Sequence, residues 1–230
     1  MTKKSTGFWR TTRSFVTRGG RMTPSQKTAL ETLSTQYILS ADTSLQAGEA
    51  VFGKKAPLVL DIGFGMGDSL LQNAVHCPDH HFIGVEVHLA GIGRVLHALA
   101  KQGITNIRLY HHDVVPLLQY TFTPGTFSQV HLYFPDPWPK KRHQKRRLVQ
   151  PEFVSQIANI LVPGGMFHLA SDVEDYATQM QTVLENHPQF QNAYEAGTWA
   201  PPDLRPKTAF EAKGERKGHI VRDLLYKKRC

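Results

Sequence analysis

The chain contains 230 residues, enough for one domain with a buried core, and it carries a net charge of +8. Its two cysteines, Cys77 and Cys230, exclude a disulfide framework and favour a reducing, cytoplasmic setting. No apolar stretch reaches the length of a transmembrane helix, so we expect no membrane contact. Of the 27 Lys and Arg residues, 22 fall within residues 1–30, 140–147 and 205–230, and this segregation favours a polyanionic partner.

Residues 1–23 are basic and contain no acidic residue, and we interpret them as a flexible arm that binds RNA. A mitochondrial transit peptide has a similar composition and is the alternative interpretation of this segment. We expect the remainder, residues 24–230, to form a single domain.

The domain begins with a helix signal at Thr23-Pro24-Ser25, and apolar residues at helical spacing continue to about Leu39. From Pro57 onward, short apolar strands alternate with helical segments. The predicted strands are Leu58–Ile62, His81–Glu86, Ile107–His111, Phe127–Phe134, Met166–Ser171, Phe190–Tyr194 and His219–Tyr226. The predicted helices between them are Asp68–Val75, Leu89–Lys101, Val114–Tyr120, Arg147–Leu161 and Asp172–Asn186. This alternation indicates an α/β fold with a doubly wound, mostly parallel, seven-stranded sheet and helices on both faces.

A glycine-rich loop, Asp61-Ile62-Gly63-Phe64-Gly65-Met66-Gly67, follows the first strand. Gly63 and Gly65 permit a tight turn and a close approach of the backbone to a ligand. The third glycine comes one residue too early for the dinucleotide pattern G-x-G-x-x-G. Asp61, the first residue of the loop, would repel a pyrophosphate. Its negative charge suits a ligand with an ammonium group, such as S-adenosylmethionine.

Acidic residues also end the next two strands. Glu86 can accept hydrogen bonds from two ribose hydroxyls, and Asp113 can accept one from an adenine amino group. A single acid at such a place is usually solvated or caps a helix, but three acids at three successive strand ends favour one ligand site. Together with the glycine loop, this set resembles the class I S-adenosylmethionine-dependent methyltransferases, whose Rossmann-like sheet agrees with the predicted alternation.

The fourth strand ends in Phe134-Pro135-Asp136-Pro137-Trp138-Pro139, and a basic run follows. Prolines on both sides of Asp136 prevent the strand from continuing and stiffen the loop. In a doubly wound sheet the fourth strand adjoins the first, so Asp136 should emerge beside the glycine loop. There it would contact both cofactor and target base, while Trp138 would either stack on the base or only brace the loop.

The run from Tyr133 to Arg147 resembles the signature of the bacterial tRNA (guanine-N7)-methyltransferases. The resemblance covers nearly the whole chain, and it includes Arg13-Ser14-Phe15-Val16, Gly84-Val85-Glu86-Val87-His88, His168-Leu169-Ala170-Ser171-Asp172 and Thr208-Ala209-Phe210-Glu211. It implies transfer of a methyl group from S-adenosyl-L-methionine to N7 of guanine 46 in the variable loop of tRNA.

The resemblance also implies roles for individual residues, with Asp136 as the catalytic one. The cofactor would be bound by Asp61, Gly63, Gly65, Glu86, Asp113 and Asp136. The tRNA would be bound by Lys140, Arg142, His143, Gln144, Lys145, Arg146, Arg147, Asp172, Thr208, Ala209, Phe210 and Glu211. Two positions depart from the family pattern, which often has Glu at position 61 and has Lys at position 209. The first change keeps the charge on a shorter side chain, and the second removes a cation.

Alternatives remain for function and assembly. A methyltransferase for another RNA and a non-catalytic RNA-binding module on the same fold are the alternative functions. The segment His76–His81 contains potential metal ligands, but it lies in a loop opposite the predicted site, so we expect no metal. We expect a monomer, because no long apolar face is left over once the sheet and helices are assigned, with a homodimer as the alternative.

Overall fold

A computed structural model of the chain describes residues 14–15, 21–208, 211–212, 214 and 218–230. Most of the predicted basic arm, together with Ala209 and Phe210, lies outside the described residues. The described part forms a seven-stranded sheet in the order β3-β2-β1-β4-β5-β7-β6, in which β1 to β5 run parallel. Strand β7 runs antiparallel between β5 and β6. The predicted doubly wound, mostly parallel sheet is therefore confirmed.

The elements follow one another with short connections. The strands are Leu58–Ile62 (β1), His81–Glu86 (β2), Ile107–His111 (β3), Phe127–Tyr133 (β4), Leu161–Ser171 (β5), Phe190–Asn192 (β6) and Arg222–Lys228 (β7). The α-helices are Pro24–Tyr37 (α1), Glu49–Phe52 (α2), Asp68–His76 (α3), Leu89–Gln102 (α4), Val114–Tyr120 (α5), Pro151–Ile160 (α6) and Glu174–Glu185 (α7). Two 3₁₀-helices span Lys141–Arg146 and Pro202–Leu204. Among these helices, none is both long and apolar enough to cross a membrane.

The sheet separates two hydrophobic clusters, as the alternation of side chains along a strand requires. In β1, Leu58, Leu60 and Ile62 face a cluster that includes buried residues of α5, α6 and α7. Val59 faces the other cluster, which is built from α1, α3 and α4. Asp61 shares the face of Val59 by this alternation. It is therefore a buried acid on an otherwise apolar strand.

Several predicted boundaries were wrong, and three of them are informative. Helix α6 begins at Pro151 rather than at Arg147, because Gln150 is the extended N-cap residue and Pro151 occupies the first turn. Strand β5 begins at Leu161, and Gly164 with φ +76° lies within it, where the pairing register between β4 and β5 shifts. Strand β7 starts at Arg222 rather than at His219. At β5, the run Pro163-Gly164-Gly165 had been interpreted as the end of the preceding helix, whereas it lies within the strand.

Candidate active site

Asp61 lies near the carboxyl end of β1, and the residue is 2% exposed. Its Oδ2 atom accepts no hydrogen bond within the described part of the chain. Burial, followed by the nearby charge of Glu86, raises the pKa of Asp61 from 3.8 to about 7. A buried carboxylate oxygen with an unmet hydrogen-bonding capacity has a strong preference for a cationic donor. Asp61 is thus suited to bind a positively charged group.

Glu86, at the end of β2, organises the glycine loop that follows β1. Its Oε2 accepts a hydrogen bond from the Gly65 N–H at 2.8 Å. Its Oε1 accepts from the N–H groups of Val87 and His88 at 2.7 and 2.9 Å. The side chain is buried, and both oxygens lie where β1 and β2 end side by side. The carboxylate that we predicted to bind a ribose is therefore a structural brace, and it lines the adjoining cavity.

A cavity of about 170 Å³ opens at these strand ends, and it brings several predicted residues together. Gly63, Glu86, Asp113 and Asp136 all line it. Asp113 is the N-cap of α5, where its Oδ1 accepts from the Val115 N–H at 3.1 Å. The simple interpretation of this acid, a helix cap, is thus correct, and the same side chain also faces the candidate ligand cavity.

A second cavity, of about 220 Å³, lies on the other side of the glycine loop. Asp61, Gly63, Gly65 and Thr208 line it, and Phe134 lines both cavities. Gly63 and Gly65 have φ values of +67° and +57°, and a Cβ at either would project into open space rather than onto protein atoms. Both cavities border the glycine loop at Gly63, where the absence of a side chain leaves room for a ligand. In the second cavity, Asp61 can bind an ammonium group. In the first cavity, Glu86 and Asp113 can accept hydrogen bonds from hydroxyl and amino groups. These residues fit S-adenosylmethionine.

The loop after β4 presents Asp136 between two residues with unusual backbone conformations. Phe134 has φ +54° and Trp138 has φ +43°, values that side-chain-bearing residues adopt rarely and at a cost. The Phe134 N–H donates to the Ala170 carbonyl at 2.8 Å, so the chain leaves the sheet directly after this residue. The Asp136 side chain is exposed and borders the first cavity. Strained backbone on both sides of an exposed acid is typical of a functional loop.

Trp138 braces this loop. Its indole N–H donates to the Ser14 carbonyl at 2.8 Å, and the Arg146 guanidinium lies 4.9 Å from the ring centroid. His143 contacts the same ring edge to face at 5.9 Å. Of the two roles considered for Trp138, these contacts support the bracing role.

The basic run forms the 3₁₀-helix Lys141–Arg146. The side chains of Lys140, Lys141, Arg142 and Lys145 are exposed there, as a phosphate-binding surface requires. His143, Gln144 and Arg146 are half-buried, and Gln144 donates to Asp175 at 3.1 Å.

Arg147 differs from its predicted role. It is 3% exposed, and its guanidinium donates to the Pro137 carbonyl at 2.9 Å, to Gln179 at 2.7 Å and to Asp175 at 2.5 Å. The ring of Tyr176 lies 4.8 Å away. With its donors engaged inside the protein, Arg147 anchors the Asp136 loop to α7 instead of presenting a cation to tRNA.

The predicted residues near the C-terminus have different surroundings. Asp172 accepts a hydrogen bond from the ring of His219 at 3.0 Å, and Thr208 lines the second cavity. Glu211 is 3% exposed and forms a bidentate ion pair with Arg205 at 2.7 and 2.9 Å. Its carboxylate is therefore turned into the protein rather than towards a substrate. Ala209 lies outside the described residues.

The sequence analysis did not predict a series of buried polar side chains that contact one another and end at Arg205. The Tyr133 hydroxyl lies 3.1 Å from Nδ1 of His168, whose Nε2 lies 3.0 Å from Oδ1 of Asp223. Asp223 in turn accepts from Arg205. Burial, and then the charge of Asp61, raises the pKa of Tyr133, so its hydroxyl stays neutral. The available signal in the sequence was that His131, Tyr133 and His168 are polar residues next to apolar residues of β4 and β5.

Comparison with known proteins connects this geometry to a family. A family model described as "Putative methyltransferase" matches residues 55–224. A tRNA (guanine-N(7)-)-methyltransferase of Burkholderia vietnamiensis is 46% identical over 95% of this chain and 85% of its own length. The protein of the same description from Alcanivorax borkumensis is 46% identical over 96% of this chain and 93% of its own length. The chain belongs to the tRNA (guanine-N(7)-)-methyltransferase family.

Solved structures resemble this family member in fold alone. The 16S rRNA methyltransferase KamB superposes with a TM-score of 0.58 at 15% identity, covering 79% of this chain and 92% of that chain. A 16S rRNA (adenine(1408)-N(1))-methyltransferase from Catenulisporales acidiphilia gives a TM-score of 0.54 at 14% identity, over 84% of this chain and 92% of that chain. Within the described residues of our family member, no group of three His, Cys, Asp or Glu side chains is placed to hold a metal ion.

Proposed function

We propose that this protein transfers a methyl group from S-adenosyl-L-methionine to N7 of guanine 46 in the variable loop of tRNA. One observation carries the proposal: a single cavity is lined by the glycine loop, by two acids at the ends of β2 and β3, and by the exposed Asp136. The cations of the 3₁₀-helix Lys141–Arg146 follow that aspartate directly. A cofactor site, an acid and a phosphate-binding surface are thus contiguous.

The proposed cofactor contacts follow from the two cavities. Asp61 would bind the ammonium group of the amino-acid moiety, since its buried oxygen lacks a donor among the described residues. Glu86 would accept from the ribose hydroxyls, and Asp113 from the adenine amino group. Gly63 and Gly65 would let the backbone pass close to the ligand. When bound, S-adenosylmethionine supplies an electrophilic methyl group.

Methyl transfer to guanine N7 requires alignment of the reacting atoms rather than proton transfer. Guanine N7 has an exposed lone pair and carries no proton, so the attack on the methyl carbon needs no general base. Asp136 would orient the guanine by accepting hydrogen bonds from N1–H and the exocyclic amino group. Its negative charge would also favour the positive charge that grows on the purine. The strained backbone at Phe134 and Trp138 holds this side chain in a defined position.

The tRNA would be held mainly by cations. Lys140, Arg142 and Lys145 are exposed and follow Asp136 closely in the chain, and they would bind phosphates that flank the target nucleotide. The basic arm, residues 1–23, would add further phosphate contacts beside a single methyltransferase domain, residues 24–230. We propose that the protein acts as a monomer in the cytoplasm, where its tRNA substrate is found.

The deciding experiment uses labelled S-adenosylmethionine and bulk unmodified tRNA. Borohydride–aniline treatment cleaves RNA at 7-methylguanosine, so label and cleavage should coincide at guanine 46. Label at another nucleotide would support a methyltransferase for a different RNA position. Binding of tRNA without any label would instead support the non-catalytic RNA-binding module.

A further inference from the structure

Arg205, which immediately follows the 3₁₀-helix Pro202–Leu204, is bound by two carboxylates at once. The side chain is 1% exposed. Its Nε and Nη2 donate to Asp223 at 2.7 and 3.2 Å, and its Nη1 and Nη2 donate to Glu211 at 2.7 and 2.9 Å. The guanidinium also lies 5.1 Å from the ring centroids of both Tyr133 and Phe134. It thus joins the end of β4, Glu211 and β7.

One end of this arrangement is fixed to the sheet. Asp223 lies in β7, an interior strand, where it pairs with Ala170 of β5 and is 2% exposed. His168 contacts the same carboxylate at 3.0 Å. Burial alone would lower the pKa of Arg205, but its hydrogen bonds to Glu211 and Asp223 outweigh that effect and raise it. Arg205 is therefore a permanent cation with a rigid anchor.

The other end is the segment that borders the cofactor cavity. The Glu211 N–H donates to Thr208 Oγ1 at 3.1 Å, and the Thr208 N–H donates to Glu211 Oε2 at 3.4 Å. This reciprocal pair is the capping-box arrangement, so the position of Thr208 depends on that of Glu211. Thr208 in turn lines the cavity that contains Asp61 and Gly63. A chain of contacts therefore runs from β7 through Arg205 to the wall of the proposed active site.

We propose that Arg205 is a positioning residue for methyl transfer: its two bidentate pairs hold Thr208 against the cavity in the orientation that the reaction needs. The proposal rests on the proposed function, and it assigns Arg205 no contact with cofactor or substrate. A planar guanidinium satisfies two carboxylates bidentately, which an ammonium group cannot do. A positive charge alone is therefore insufficient to hold both carboxylates. Arg205→Lys keeps the charge and removes the bidentate geometry, so it tests the geometry separately.

The test compares Arg205→Lys with Tyr226→Phe. Tyr226 is also buried in β7, and its hydroxyl donates to Glu185 at 2.8 Å, so the control weakens the same strand without touching the Thr208 segment. We expect Arg205→Lys to lower kcat on tRNA about tenfold or more at a temperature where it is fully folded. The Kd for S-adenosylhomocysteine should change by about threefold at most, because Glu86 and Asp113 are untouched. Tyr226→Phe should lower Tm and leave kcat unchanged.

A normal kcat for folded Arg205→Lys would overturn the proposal and leave Arg205 a structural ion pair. If that variant does not fold, Glu211→Gln tests the proposal instead. It weakens the pair between Arg205 and Glu211 and leaves Arg205 bound to Asp223. A normal kcat for Glu211→Gln would equally overturn the proposal. Hydrogen exchange of the peptide spanning residues 206–212 should rise in both variants and not in Tyr226→Phe. If the wild-type protein labels no tRNA, the proposed function fails, and the exchange data still decide whether Arg205 holds the segment.

Discussion

The protonation of Asp61 should control cofactor affinity. The pKa of Asp61 is about 7 in the free protein, while an ammonium group binds the ionised carboxylate. The apparent Kd for S-adenosylhomocysteine should therefore rise about tenfold for each pH unit below about 6 and level off above about 7. Each tenfold step corresponds to about 1.4 kcal/mol, the free energy of removing the proton before the ligand binds.

Isothermal titration calorimetry in two buffers with different ionisation enthalpies measures this effect directly. At about pH 6, binding should release about 0.9 protons per site, since most Asp61 carboxyls are protonated before binding. Asp61→Asn is the matched control, because it keeps the shape and removes the titration. Its affinity should be weak and nearly independent of pH. A wild-type affinity that does not change between about pH 5 and pH 7 would refute the reasoning.

Ionisation of Asp61 should have the opposite effect on the stability of the ligand-free protein, which should decrease as pH rises. An acid whose pKa is raised by folding stabilises the folded state at low pH and loses that contribution as pH rises from 3.8 to about 7. The full effect is about 4 kcal/mol. Asp61→Asn should therefore raise Tm in the absence of ligand at about pH 8, and the advantage should shrink towards about pH 5.

Three further predictions concern the loop after β4. Asp136→Asn should lower kcat by about two orders of magnitude or more with little change in cofactor affinity, because it replaces an acceptor by a donor; single-turnover methylation measures it. Substituting the exposed Arg142 and Lys145 together by alanine should reduce the slope of log K against log salt for tRNA binding by about two, and an unchanged slope would exclude this surface as the phosphate contact. Arg147→Met should destabilise the protein by about 1–3 kcal/mol in urea unfolding, since it removes the buried guanidinium that donates to the Pro137 carbonyl and to Gln179.

The sheet was predictable because its signals are local. Each parallel strand is a short apolar run ended by glycine or an acid, and this pattern placed β1 to β4 within a residue of their positions. The same rule failed where a glycine lies within a strand. Gly164 lies inside β5 with φ +76°, between Leu161, which pairs with Phe127, and Met166, which pairs with Gln129, and this register shift depends on a strand that is distant in sequence.

The site was predictable to the extent that chain order determines it. Glu86, Asp113 and Asp136 line one cavity, and Asp61 lines the second one, because strands β1 to β4 end at one edge of the sheet. Burial does not follow from chain order. A basic run predicts a cationic surface, and nothing within it distinguishes the buried Arg147 from its exposed neighbours. The ion pair between Arg205 and Glu211 was likewise hidden, because a resemblance assigns a role to a position without showing the direction of its side chain.

The three backbone N–H groups that Glu86 accepts have a thermodynamic consequence for cofactor capture. They fix Gly65, Val87 and His88 before any ligand arrives. Ordering a residue's backbone upon binding costs about 1–2 kcal/mol, and a preorganised loop avoids that loss of conformational entropy. Association should therefore proceed as a nearly rigid docking step, with a small entropic penalty and a rate close to that of a preformed pocket. Glu86, which we predicted to bind a ribose, would therefore raise the affinity for the cofactor before it contacts that ligand.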